Sequence, residues 1–173
     1  MRLTATPSQT VGPFFAIGMH AVDIPIEPAG ERLTIHGRVL DGDGNGVHDA
    51  VIETWQADSA GHYAERSSRG WGRVVTDASG TFRFSTTKPG RRMSGGDGVH
   101  APHIAVTIFA RGLLKHLFTR IYFPDEPSNA SDHILALVPD DRRATLIARP
   151  SGPNRFEWDI VLQGKDETAF FEC

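Results

Sequence analysis

Eight histidines and two tyrosines are the side chains here best suited to metal or proton chemistry, and their spacing limits what they can do. His100 and His103 stand three residues apart, a spacing that shares a face on a helix but splits across the two faces of a strand. The residues from His103 onward are apolar and rich in β-branched types, so a strand is expected and the pair is not a chelate by itself. No His-x-His occurs, although that spacing would put two imidazoles on one face of a strand. Tyr63 follows Gly61-His62, whereas Tyr122 sits in an apolar stretch that reads as core. Arg111 ends an apolar run beside Gly112, where a surface ion pair is the ordinary role. Trp55 and Trp71 read as core or interface packing.

Two further motifs are decoys. Asp41-x-Asp43-x-Asn45-Gly46 copies the opening of a calcium loop, but the twelfth position, where a bidentate Glu is needed, is Ile52. A tight turn is expected instead. The Gly95-Gly96-Asp97-Gly98 run lacks a following Lys-Ser/Thr and opens no helix, so it is not a phosphate loop.

The elements that must position these residues are mostly strands. Arg32–Asp41 alternates Leu33, Ile35 and Val39 with polar residues and suggests a half-buried strand; Ala50–Gln56, the apolar His103–Phe109 and Leu117–Phe123 also read as strands. Arg73–Asp77 and Thr81–Thr86 flank Ala78-Ser79-Gly80 and suggest a hairpin. Lys88–Gly98 reads as a loop, and Arg155–Gln163 and Thr168–Phe171 as closing strands. Ser131–Val138 and Asp140–Ala148 suggest short helices with Ser131 and Asp140 as N-caps. The segment through Pro13 reads as an extended arm. The fold class expected is all-β: one antiparallel β-sandwich domain over residues 1–173, with an N-terminal arm (1–30) and one or two short helices.

The 173 residues suffice for one core, and 39% hydrophobic with 23% charged residues is ordinary for a globular chain. A formal charge of −3 without a basic stripe gives nucleic acid no footprint. There is no signal-like apolar segment and no run long enough for a membrane helix, so no membrane partner and a cytoplasmic location are expected. A single cysteine, Cys173, cannot staple the fold.

Taken in order, several blocks resemble the intradiol ring-cleaving dioxygenases. They are Gly37-Arg38-Val39-Leu40-Asp41, Ala50-Val51-Ile52-Glu53-Thr54-Trp55-Gln56-Ala57-Asp58 with Gly61-His62-Tyr63, Gly72-Arg73, Thr76-Asp77, Gly80-Thr81-Phe82 and Lys88-Pro89-Gly90. Pro102-His103-Ile104, Phe109-Ala110-Arg111-Gly112, Thr119-Arg120-Ile121-Tyr122-Phe123, Gln163-Gly164 and an arm reading Thr6-Pro7-Ser8-Gln9-Thr10-Val11-Gly12-Pro13 complete the pattern. The resemblance implies a β-sandwich that holds Fe(III) through two tyrosinates and a His-x-His pair, hard ligands for a hard cation. Here Tyr63 and His103 match one ligand of each kind, but the second histidine position is Ala105 and the second tyrosine position is Arg92. His100 stands where active members carry an arginine.

Such a ligand set resembles the iron-less, α-type chain of family members built from two kinds of chain. That resemblance implies a β-type partner that keeps Fe(III), αβ pairs in a higher oligomer, and a catechol plus O2 as substrates. It maps wall positions of the partner's site onto Thr10, Gly12, Pro13 and Arg111, with the arm packing on the partner. A guanidinium at Arg111 would suit a carboxylated catechol. Phe14 departs from the tyrosine common at that position, and the loops are short for an α-type chain. Two other functions remain open at this stage. One is a self-sufficient metal-dependent catechol dioxygenase using His100, His103 and Tyr63; the other is a non-enzymatic binding module.

Overall fold

The structure, a computed structural model, describes residues 4–27, 30–64, 69–94 and 98–172, with only the backbone of Met93 and Ser94. Cys173 and the start of the Gly95 run lie outside the described residues. In chain order the strands are β1 (Arg32–Leu40), β2 (Val51–Gln56), β3 (Trp71–Val75), β4 (Thr81–Thr87), β5 (Arg92–Ser94) and β6 (Gly98–His100). They continue as β7 (His103–Phe109), β8 (Leu117–Tyr122), β9 (Arg149–Gly152), β10 (Arg155–Glu157) and β11 (Ile160–Val161). Two short helices, α1 (His133–Leu137) and α2 (Asp140–Arg143), follow β8.

Alternation in β1 turns Leu33, Ile35 and Val39 inward, where they meet Ile104, Val106 and Ile108 of β7 and Ile121 of β8. One sheet is built around β1, which pairs with β4, β10 and β11; the other runs β3-β2-β7-β8. Phe82, Trp158 and Ile160 close the core between them. A β-sandwich with an arm and short helices is therefore what forms. Burying a side chain of this kind contributes about 1.5–3 kcal/mol, so the two facing apolar rows are what hold the sheets together.

Local expectations fail in instructive places. The turn at 78–80 exists, with Gly80 at φ 78° and Asp77 Oδ1 accepting from the backbone of Ser79 and Thr81. It is not a hairpin, because β3 pairs with β2 while β4 crosses to β1 in the other sheet. The pairing is not wholly antiparallel: β10 and β11 run parallel to β1. The expected strand 155–163 breaks at Trp158, whose backbone carbonyl lies against Gly37 where a Cβ has no room. β9 was not expected, since its Arg-Pro-Ser-Gly sequence carries no apolar alternation, and all four residues are exposed on an edge that tolerates proline. Residues 168–171 contribute only one bridge, Phe118 to Phe171. The expected loop 88–98 contains β5, which pairs with β6.

The arm divides in two. Val22 exchanges backbone hydrogen bonds with Arg73 on the β3 edge, and Ile24 is buried against Gly72. Before that point the chain is mostly exposed, with Val11, Phe15, Ala16 and Met19 half-buried, a 3-10 turn at Phe15–Gly18, and Phe14 and Ile17 open to solvent.

The cap of α1 is Asp132 rather than Ser131, and Pro139 rather than Asp140 precedes α2. Asp132 is buried, and it accepts from Ile134 N, Leu135 N, Ala101 N and the Tyr122 hydroxyl. That carboxylate ties the entry to β7, the end of β8 and α1 together. Asp132→Ala leaves these donors without an acceptor and should lower unfolding stability by about 3 kcal/mol, read by urea denaturation.

Candidate functional site

The outer face of the second sheet carries the site. In β7 the inward set is Ile104, Val106 and Ile108, so His103 and Ala105 point outward together. Across the strands His103 faces Tyr122, while Ala105 lies between Arg120 of β8 and Trp55 of β2. Tyr63, from the loop after β2, reaches over this surface: its hydroxyl is 3.3 Å from His103 Nε2 and its ring stacks offset on Trp55. The β5–β6 pair closes the far side, with Arg92 directly opposite His100 and its guanidinium 5.5 Å from the centre of the Tyr63 ring. Trp55, Tyr63, Arg92, His100, His103 and Arg120 line a cleft of about 280 Å³.

The structure thus brings Tyr63, Arg92, His103 and Ala105, the four positions that the resemblance matches to ligands, to one surface. It also corrects the expectation for His100 and His103. The two rings are 6.0 Å apart, because the strand breaks at Ala101-Pro102 and the residues sit on different strands, where alternation no longer applies. Trp55 is a wall of the cleft rather than core. Arg120 was missed as a site residue; an arginine two positions from a tyrosine in an apolar strand was the available signal.

Electrostatics decides what this surface can hold. Burial, aided by the Arg120 charge, pushes the His103 imidazole down to about 4. His103 Nδ1 bonds to the Ala101 carbonyl at 2.7 Å, fixing the ring. Burial and then Arg120 and His133 lower His100 as well. Burial raises Tyr63, outweighing the pull of Arg120 and Arg92, and also raises Tyr122. Both tyrosines therefore stay phenols at neutral pH. A ferric site needs phenolate and imidazole donors without competing cations. Ala105 offers no donor and two guanidiniums stand where ligands would converge, so these residues do not fit Fe(III). No group of three or more His, Cys, Asp or Glu among the described residues is arranged for a metal.

Thr10, Gly12, Pro13 and Arg111 lie elsewhere. Thr10 Oγ1 accepts from Gly112 N at 2.8 Å, which pins the arm beside Arg111. Arg111 follows the far end of β7 from His103, about 20 Å along the strand. In this chain it makes the ordinary surface contacts, with Nε 3.1 Å from Asp49 Oδ2 and a terminal nitrogen 2.9 Å from His48 Nε2. Its side chain is still 40% exposed.

The chain belongs to the intradiol ring-cleavage dioxygenase family: the Dioxygenase family matches residues 17–164. It is 43% identical to the protocatechuate 3,4-dioxygenase alpha chain of Burkholderia cepacia, over 98% of each chain. The beta chain of the same enzyme and organism is 37% identical over 82% of this chain and 68% of that one. Among solved structures, the dioxygenase domain of a carbohydrate-binding fusion protein from Streptomyces sp. SirexAA-E superimposes with a TM-score of 0.65 at 29% identity, covering 94% of this chain and all of that one. The family is iron-dependent in general, which makes the misfit of the present ligand set notable.

The depressed His103 has a consequence for stability. The unfolded chain takes up a proton there near pH 6.5, but the folded chain only near pH 4. Protonation therefore favours unfolding as the pH falls through that window, by about 3 kcal/mol at its lower end. His100 acts in the same direction; Arg120 and Asp132 face both rings, and His133 and Arg92 face His100. Urea denaturation from pH 7 to 4 should show a clearly shallower loss of stability in His103→Gln than in the wild type.

Proposed function

We propose that this chain is the alpha subunit of a protocatechuate 3,4-dioxygenase, with the catalytic Fe(III) held by the beta subunit. The observation that carries this is the ligand surface itself. In a chain that keeps the family sandwich, Ala105 and Arg92 replace two of the four donors and Arg120 adds a second cation. A chain so altered is suited to completing another chain's site.

The reaction is intradiol cleavage of protocatechuate by O2 to 3-carboxy-cis,cis-muconate. The ring bond between the two hydroxyl-bearing carbons breaks, both oxygen atoms enter the product, and no outside reductant is consumed. Fe(III) on the partner supplies catecholate binding and activation towards O2. The role proposed for this chain is positional. Arg111 offers a charge-assisted, two-pronged contact to the substrate carboxylate, exchanging its Asp49 and His48 contacts for it. Thr10, Gly12 and Pro13 form adjacent wall, and the exposed arm with Phe14 and Ile17 packs on the partner. Such chains would work as αβ pairs in a higher oligomer, in the cytoplasm. No helix among the described residues is long and apolar enough to cross a membrane.

A second reading has one observation in its favour: His100, His103 and Tyr63 do converge on one cleft. A lone chain could then be a self-sufficient metal-dependent dioxygenase. The two guanidiniums weigh against it. A non-enzymatic β-sandwich module is disfavoured by the family match over nearly the whole chain.

Iron content and the visible absorption of ferric tyrosinate separate these readings. The chain alone should be colourless and without stoichiometric iron, and the pair coloured and active. Stoichiometric iron and catechol turnover by the lone chain would establish the second reading. In the active pair, Arg111→Ala should raise KM for protocatechuate about tenfold or more, with little change in kcat or in iron content.

A further inference from the structure

The cleft on the outer face of β2, β7 and β8 has a composition suited to a ligand rather than to a metal. Two guanidiniums, Arg92 and Arg120, line it, and no carboxylate does. Among the described residues neither arginine has a carboxylate within ion-pair distance. Arg120 makes one long hydrogen bond, 3.4 Å from its terminal nitrogen to the Tyr122 hydroxyl, and its Nε is buried without an acceptor. His100 Nδ1 is also buried without a partner. The nearest buried acid, Asp132, already accepts from Tyr122 and three backbone amides, so it neutralises Arg120 only at second hand.

Buried donors without acceptors are costly, by about 1–3 kcal/mol each and more for charged groups. An arriving oxyanion relieves that cost. An arginine offers a carboxylate a planar fork of N–H donors, and Arg92, on the exposed rim, supplies a second charge. The remaining walls are aromatic: Trp55 and Tyr63 stack at 6.0 Å, with His103 neutral beside them. Replacement of a ligand histidine by Ala105 leaves only a methyl group between Trp55 and Arg120, which is where a flat ring can enter. At about 280 Å³ the space suits one ring and its substituents rather than a nucleotide.

We propose that this cleft binds a small aromatic carboxylate, its carboxylate on Arg120 and Arg92 and its ring against Trp55 and Tyr63. The site follows from the loss of the metal ligands. Removing an imidazole and adding cations converts a cation-binding surface into an anion-binding one.

The test is calorimetric titration of benzoate into the full chain, alone or co-purified with its partner, as wild type, Arg92→Met and Arg120→Met. Any binding on the partner is common to all three and drops out of the comparison. Benzamide supplies the ring without the charge, and inorganic phosphate the charge without the ring. Near-ultraviolet circular dichroism verifies folding; should Arg120→Met not fold, Arg92→Met on the exposed β5 edge carries the test. The expected result is benzoate binding at about 1 mM or tighter, weakened about tenfold by either variant, with benzamide and phosphate about tenfold poorer. Several outcomes would overturn the proposal: no variant-sensitive binding up to about 10 mM benzoate, benzamide binding as well as benzoate, or phosphate binding as well as benzoate.

Discussion

The buried carboxylate of Asp132 is the contact on which the arrangement of the site rests. Its oxygens receive the Tyr122 hydroxyl, the Ala101 amide and the first amides of α1. Ala101 lies two residues before His103, and Tyr122 two residues after Arg120, so one side chain sets the relation between the strands that carry both cleft residues. The backbone of the same residue bridges Val99, which holds β6 against the segment that leads into α1. A buried acid is tolerable here because its hydrogen bonds stand in for lost water. Those bonds also place His100, at the end of β6, against His103 and His133.

On that frame, small changes in side-chain type have large electrostatic effects. The geometry that converges on the outer sheet face is shared by Tyr63, His103 and the two positions now occupied by Arg92 and Ala105. A single alanine removes a donor and opens space between Trp55 and Arg120. Burial keeps His103 neutral and Tyr63 protonated, and the two guanidiniums beside them repel a ferric ion. The Thr10–Arg111 group, near the other end of β7, is independent of it, held by one hydrogen bond from Gly112 and by the Arg111–Asp49 pair.

Much of this was legible in the residues. Alternation in β1 marked one core row, because a strand half-buried on one face must place apolar side chains at every second position, and β-branched apolar content marked β7. The missing His-x-His and the arginine after Lys88-Pro89-Gly90 marked a defective ligand set, because donor type and spacing are properties of the chain itself. The two-part arm was half legible: its extended course follows from proline and glycine, but its docking on β3 through Val22 and Ile24 does not.

Strand pattern, family resemblance and the donor types at positions 92 and 105 are thus carried by the order of residues. Tertiary structure alone decided which strands share a sheet, sending β3 and β4 apart across a turn that looked like a hairpin, and laying β10 and β11 parallel to β1. It also decided that His100 and His103 meet, that Trp55 is a wall, and that Arg120 enters the cleft opposite Ala105. The reason is physical: periodicity within one strand reports only which face a residue takes. Neighbours across strands are set by register and by long-range backbone pairing, and local sequence does not encode them.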